Sequence, residues 1–144
     1  MEISEITAIS EFGMRYENMR MQVASSNIAF ANQISGSANK VYQPLTISID
    51  GIDNLSSEIT NVNAFINQVK QSLQINIEQT SHVKPVHSPE NPLADKSGYV
   101  YKPDINMVTE MLTLTTASRA YEANIRAFNT AKDMGRKALE IGKR

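Results

Sequence analysis

His82 and His87 are the side chains best suited to proton transfer or metal binding, and they stand five residues apart with Glu78, Glu90 and Asp95 nearby. A metal centre needs ligands at spacings that converge on one ion, and a catalytic base needs a nucleophile in a defined local setting. Neither pattern surrounds the two histidines. A second set of carboxylates, Glu122, Asp133 and Glu140, shares a helical face with Arg119, Arg126 and Lys137. Glu122 with Arg126, and Asp133 with Lys137, are acid-before-base pairs four residues apart, which support a solvated helix by about 0.2–0.5 kcal/mol each. That pattern suits a solvated face better than paired acid and base catalysis. No Gly-rich phosphate loop occurs, and the absence of Cys removes thiol catalysis, disulfides and thiolate metal sites. The residues therefore argue against an enzyme and against a metal site.

The elements that carry these residues say more than the residues do. With 144 residues the chain fits one domain, or a small module set in a helical frame. Lys and Arg number 14 against 15 Asp and Glu, so no basic field exists to hold a nucleic-acid backbone. Four Phe, five Tyr and no Trp leave few large anchors from which to build a pocket. The start, Met1-Glu2-Ile3-Ser4-Glu5, lacks the basic and apolar runs of a secretory signal, and no stretch approaches the roughly 18 apolar residues of a membrane span.

Two long helices frame the chain. Ile9, Phe12, Tyr16, Met19, Val23, Ser26 and Phe30 recur at spacings of three and four, which predicts a helix over about 4–32; Met14, Met21 and Ile28 form a sparser second stripe. Toward the other end, Met111, Leu114, Ser118, Tyr121, Ile125, Phe128, Lys132, Gly135 and Leu139 form a bulky seam. A second, mostly small seam on the same helix runs through Ala117, Ala120, Asn124, Ala127, Ala131, Met134, Ala138 and Ile141, about 100° further round. Laid antiparallel, the helices match Tyr16 with Phe128, Met19 with Ile125, Val23 with Tyr121 and Phe30 with Leu114, and bring Gly13 near Gly135. The expected helix-pair seam is thus Phe12, Tyr16, Met19 and Val23 against Leu114, Tyr121, Ile125 and Phe128.

Between them, Gln33–Lys40 is a polar break, and Leu45, Ile47 and Ile49 alternate with Thr46 and Ser48 as a strand running into Asp50 and Gly51. A short amphipathic helix is predicted within 54–70, and Leu73, Ile75 and Ile77 give a second strand. From His82 to Pro103, four prolines predict extended and turn conformations, with Asp104 as N-cap of the last helix. The fold class is mainly α with a small β-containing insertion, its long N- and C-terminal helices forming an antiparallel coiled-coil-like pair. The boundaries are 1–34, 35–102 and 103–144.

Asn91-Pro92-Leu93-Ala94-Asp95-Lys96-Ser97-Gly98-Tyr99-Val100, then Pro103-Asp104-Ile105-Asn106, then Glu110-Met111 and Ala117-Ser118-Arg119-Ala120-Tyr121-Glu122-Ala123-Asn124, resemble in order and spacing the bacterial flagellar basal-body rod proteins. Within them the likeness is nearest to a proximal-rod subunit. Ser26-Asn27-Ile28-Ala29 with Ala31-Asn32 matches the family's N-terminal signature more loosely, and Phe30 stands where that family usually has Asn. The resemblance implies a structural subunit, without catalysis or cofactor, that builds a tubular rod in the cell envelope with copies of itself and other rod subunits. It also implies passage through the flagellar type III export apparatus without a cleaved signal. Asn27, Arg119, Tyr121 and Asn124 match motif positions. Joined to the small seam, they make Asn27, Arg119, Ala120, Asn124, Ala127, Ala131 and Met134 the candidates for contacts between subunits. Intramolecular roles stand beside these, as core for Tyr121 and as a cap or bridge within the pair for Asn124. A soluble helical adaptor or chaperone that binds a partner helix is the alternative function.

Overall fold

A computed structural model describes residues 3–50 and 74–141. In chain order the elements are α1 (Ile3–Phe30), β1 (Leu45–Asp50), β2 (Gln74–Gln79), β3 (Val83–His87), β4 (Tyr99–Pro103) and α2 (Met107–Ile141). β1 pairs with β2, and β3 with β4. The helix predicted within 54–70 lies outside the described residues. The chain forms two compact units, each drawing on both long helices: α1 up to Met19 and α2 from Thr116 belong to one, and Arg20–Ile47 with Ile77–Thr115 form the other.

In the second unit the proline-bearing segment, expected to be extended and turn-like, is an antiparallel hairpin in which Val83 faces Pro103, Pro85 faces Tyr101 and His87 faces Tyr99. Pro85 fits because of what lies on the other edge of β4. The N–H and C=O of Tyr101 bond to Ser35 at 2.8 and 2.9 Å, so they point away from β3. Pro85 therefore occupies a non-hydrogen-bonded pair, where its missing N–H breaks no rung of the ladder. An imide in the outward row of the edge strand also hinders pairing with a foreign strand.

The hairpin loop is tied by its own polar side chains. Asp95 Oδ1 accepts the N–H groups of Ser97 and Tyr99, both at 2.9 Å, and Oδ2 accepts the Tyr101 hydroxyl at 3.3 Å. Asn91 Oδ1 accepts the Leu93 N–H, and Gly98 supplies the left-handed residue at φ 78° that brings the chain into β4. Gly36 backs onto this loop so closely that a Cβ there would lie 2.5 Å from the Leu93 carbonyl oxygen.

These bonds, first that from the Tyr99 N–H, hold the Asp95 carboxyl below its ordinary value of 3.8. Its contribution to stability is thus fully present above that value and is lost as pH falls through the lower folded one. The gap in unfolding midpoint between the native chain and Asp95→Asn should accordingly be widest near neutrality and narrow as pH falls below 3.8; a gap independent of pH would refute this assignment.

The cap of α2 differs from expectation. Asn106, not Asp104, accepts the Val108 and Thr109 N–H groups at 3.1 and 3.4 Å. Asp104 lies one strand-end earlier, where its N–H bonds the His82 carbonyl and its carboxylate meets Lys84 Nζ at 2.6 Å. That exposed ion pair contributes little.

Candidate assembly interface

α1 turns inward along a line of small and polar residues. Ser10, Glu17, Ala24 and Ala31, spaced by seven, are all buried, with Ala24 at 0 % exposure. They stand one residue on from Ile9, Tyr16, Val23 and Phe30, of which Ile9 and Phe30 are exposed. The packed face is therefore turned toward the Met14, Met21 and Ile28 stripe, by up to the 100° that one residue subtends. Three of the four side chains in this line, those of Ser10, Ala24 and Ala31, are small, and Glu17 is buried among them.

On α2 the seams divide differently from the sequence pattern. The small seam consists of two heptad positions. One, Ala117, Asn124 and Ala131, is inward, with Ala117 at 0 % and Ala131 at 2 % exposure and Asn124 half-buried. The other, Ala120, Ala127, Met134 and Ile141, is half-buried only at Ala120 and otherwise exposed. Thr116, Ala123 and Thr130 extend that outer face and are likewise exposed, as is Ala138, the last member of the first position. Among the expected helix-pair residues, Val23 is buried and Phe12, Tyr16, Met19, Leu114, Tyr121, Ile125 and Phe128 are half-buried.

Three candidates for contacts between subunits are thus turned into the chain: Asn27, Asn124 and Ala131. Asn27 is 2 % exposed, and its amide mimics a strand neighbour. Nδ2 donates to the Leu45 carbonyl at 2.9 Å, while Oδ1 accepts the Leu45 N–H at 2.9 Å and the Tyr42 hydroxyl at 3.0 Å. The Tyr42 ring stacks on Phe30 with centroids 4.7 Å apart, which gives the unusual Phe30 a partner inside the chain. Burial, then the nearby Glu110 charge, raise the Tyr42 phenol above its ordinary value.

Asn124 stands against Gly13, where a Cβ would lie 2.7 Å from its Nδ2. The expected neighbour of Gly13, Gly135, is eleven residues further along the helix. A groove of about 320 Å³ opens beside this contact, between Met14, Met19 and Tyr121, with Glu11, Arg15 and Asn18 at its rim.

Arg119, Glu122 and Arg126 lie exposed on α2, with Glu122 and Arg126 3.9 Å apart. Asp133 pairs with Arg136 at 3.1 Å rather than with Lys137, because the guanidinium fork reaches back one turn. His82 and His87 are both exposed, and His87 packs edge-on against Tyr99. Among the described residues no three His, Asp or Glu side chains gather as metal ligands, and no helix is long and apolar enough to cross a membrane.

Polar groups that hold backbone in place, small residues buried in line and an outer small-residue face on the last helix define a structural packing subunit. Comparison with known proteins agrees and is more specific. Residues 96–141 match the family model described as flagellar basal body rod FlgEFG protein C-terminal. Over 99 % of both chains, the sequence is 32 % identical to the flagellar basal-body rod protein FlgC of Salmonella typhimurium and 30 % identical to that of Aquifex aeolicus. The FlgC of Bacillus subtilis is 34 % identical over 94 % of this chain and 95 % of its own. The chain belongs to the FlgC family of flagellar basal-body rod proteins.

Proposed function

We propose that the chain is a structural subunit of the bacterial flagellar basal-body rod, without catalytic activity, whose terminal helices form an antiparallel coiled-coil-like pair and carry assembly. The observation that supports this most is the parting of the two small heptad positions on α2. The inward one, through Ala117, Asn124 and Ala131, is used within the chain, while Ala120, Ala127, Met134 and Ile141 leave a second face open along the same helix. A helix with two packing faces suits a subunit surrounded by neighbours, here copies of itself and other rod subunits. Arg119 flanks the outer face and adds a charged contact. The subunit works in the periplasmic rod of the basal body and reaches it through the flagellar type III export apparatus.

Ala127→Leu tests this reading, because Ala127 is exposed and substitutions at such sites change stability by only about 0.5 kcal/mol. Complementing a deletion strain with Ala127→Leu should leave the subunit folded but stop rod assembly and motility. Normal rods in the deletion strain itself would remove the function, and normal motility with Ala127→Leu would remove the outer face from it.

A further inference from the structure

Apolar spacing alone permits two registers of the antiparallel helix pair, one heptad apart. The sequence pattern favours the register in which Tyr16 meets Phe128 and Met19 meets Ile125, large against large, and there position 13 lies level with Ala131, one turn short of Gly135, the glycine expected near it. In the structure Gly13 instead stands against Asn124, seven residues away on α2. We infer that Asn124, seated in the notch that Gly13 leaves, selects this register and so acts as a positioning residue for the whole helix pair.

The fit is steric as well as polar. From a Cβ at position 13, Asn124 Nδ2, Cγ and Oδ1 would lie at 2.7, 2.9 and 3.0 Å, so the planar amide occupies the place where any other residue would put its side chain. Asn124, half-buried, stands at heptad spacing between Ala117 and Ala131, both of them buried. A single polar residue within such a line sets register at some cost in stability.

The packing alongside is loose. A groove opens between Met14, Met19 and Tyr121, and flexible Met side chains specify position weakly. The close Gly13–Asn124 contact therefore weighs in the choice of register. Sliding by seven residues keeps every heptad position on its face but moves one helix about 10 Å along the other, since each residue rises about 1.5 Å. The outer face of α2 would be carried with it.

This inference rests on the antiparallel pair but not on rod assembly, and it is tested on the isolated full-length chain. The natural sequence has no Cys, so spin labels attach only at introduced cysteines. Two label pairs at exposed positions suffice, Arg15 with Arg136 and Glu11 with Arg119. In the native register each gives one narrow distance. Asn124→Ala should add a second population, shorter by several ångströms for the first pair and longer for the second, because sliding brings one pair toward level and takes the other away. Gly13→Ala should raise the same population. Unchanged single distances in Asn124→Ala would overturn the inference. Loss of both narrow distances without the slipped ones would overturn it equally, since Asn124 would then hold the helices together rather than choose between registers. Native distances that fit neither register would instead remove the antiparallel pair.

Discussion

Asn27→Ala should destabilise the folded chain by about 3–5 kcal/mol, a large share of the roughly 5–15 kcal/mol that holds a domain of ordinary size. Three partners lose their bonds at once: the N–H and C=O of Leu45 and the hydroxyl of Tyr42. The cost of removing one side of a buried hydrogen bond is mainly the desolvation of the group left behind, about 1–3 kcal/mol each. Asn27 is almost fully buried while Leu45 and Tyr42 are half-buried, so water entering a methyl-sized replacement would reach only some of the three groups. Asn27→Asp should fare little better, because a carboxylate keeps the two acceptor bonds but sets a negative oxygen against the Leu45 carbonyl. Asn32→Ala, at an exposed position just past the helix, is the control and should change stability by about 0.5 kcal/mol or less. Urea unfolding followed by circular dichroism checks all three, with a lower midpoint and an unchanged slope as the expected form. If Asn27→Ala matched the Asn32 control, the clamp would be ornamental and the residue free for contact with a neighbour.

The second large effect belongs to the inward heptad position of α2. Ala117 has no exposed surface, and Leu in its place adds three carbons where there is no space; overpacking of this kind costs about 1–3 kcal/mol, and more where backbone cannot yield. Ala117→Leu should therefore lower the melting temperature of the isolated chain, and its loss of rod assembly should follow from that instability. Ala127→Leu makes the same chemical change ten residues along the helix and should leave melting almost untouched. Differential scanning calorimetry of the two variants separates the faces directly. Equal losses in both would show that the small seam is one surface and that its division into inner and outer positions is wrong.

Periodicity made much of the frame legible. Repeats at three and four residues gave the two long helices, and alternation at 45–49 and 73–77 gave the strands seen as β1 and β2. The run from Asn91 to Asn124 carried the family. The β3–β4 hairpin was harder to read because Pro85 sits inside its first strand, and a proline counts against a strand until the partner edge is known. Only Ser35, far away in sequence, takes up the Tyr101 backbone and makes the proline harmless. The role of Asn27 was hidden for a similar reason: an Asn late in a helix fits a cap, a contact or a clamp equally well until Leu45 is seen to fold back onto it.

What the sequence by itself determined is the period of each helix, the presence of small residues at regular intervals and kinship with the rod proteins. What the tertiary structure decided is phase: which heptad position turns inward on each helix, and which residue of α2 faces Gly13. The physical reason is that a heptad repeat fixes the angle between successive contacts but not the direction of the first one. On α1, apolar and small residues cover so much of the circumference that several faces could serve. The choice falls on the line through Ser10, Glu17, Ala24 and Ala31, because packing rewards close approach as much as apolar area, and close approach depends on the surface that a second segment presents.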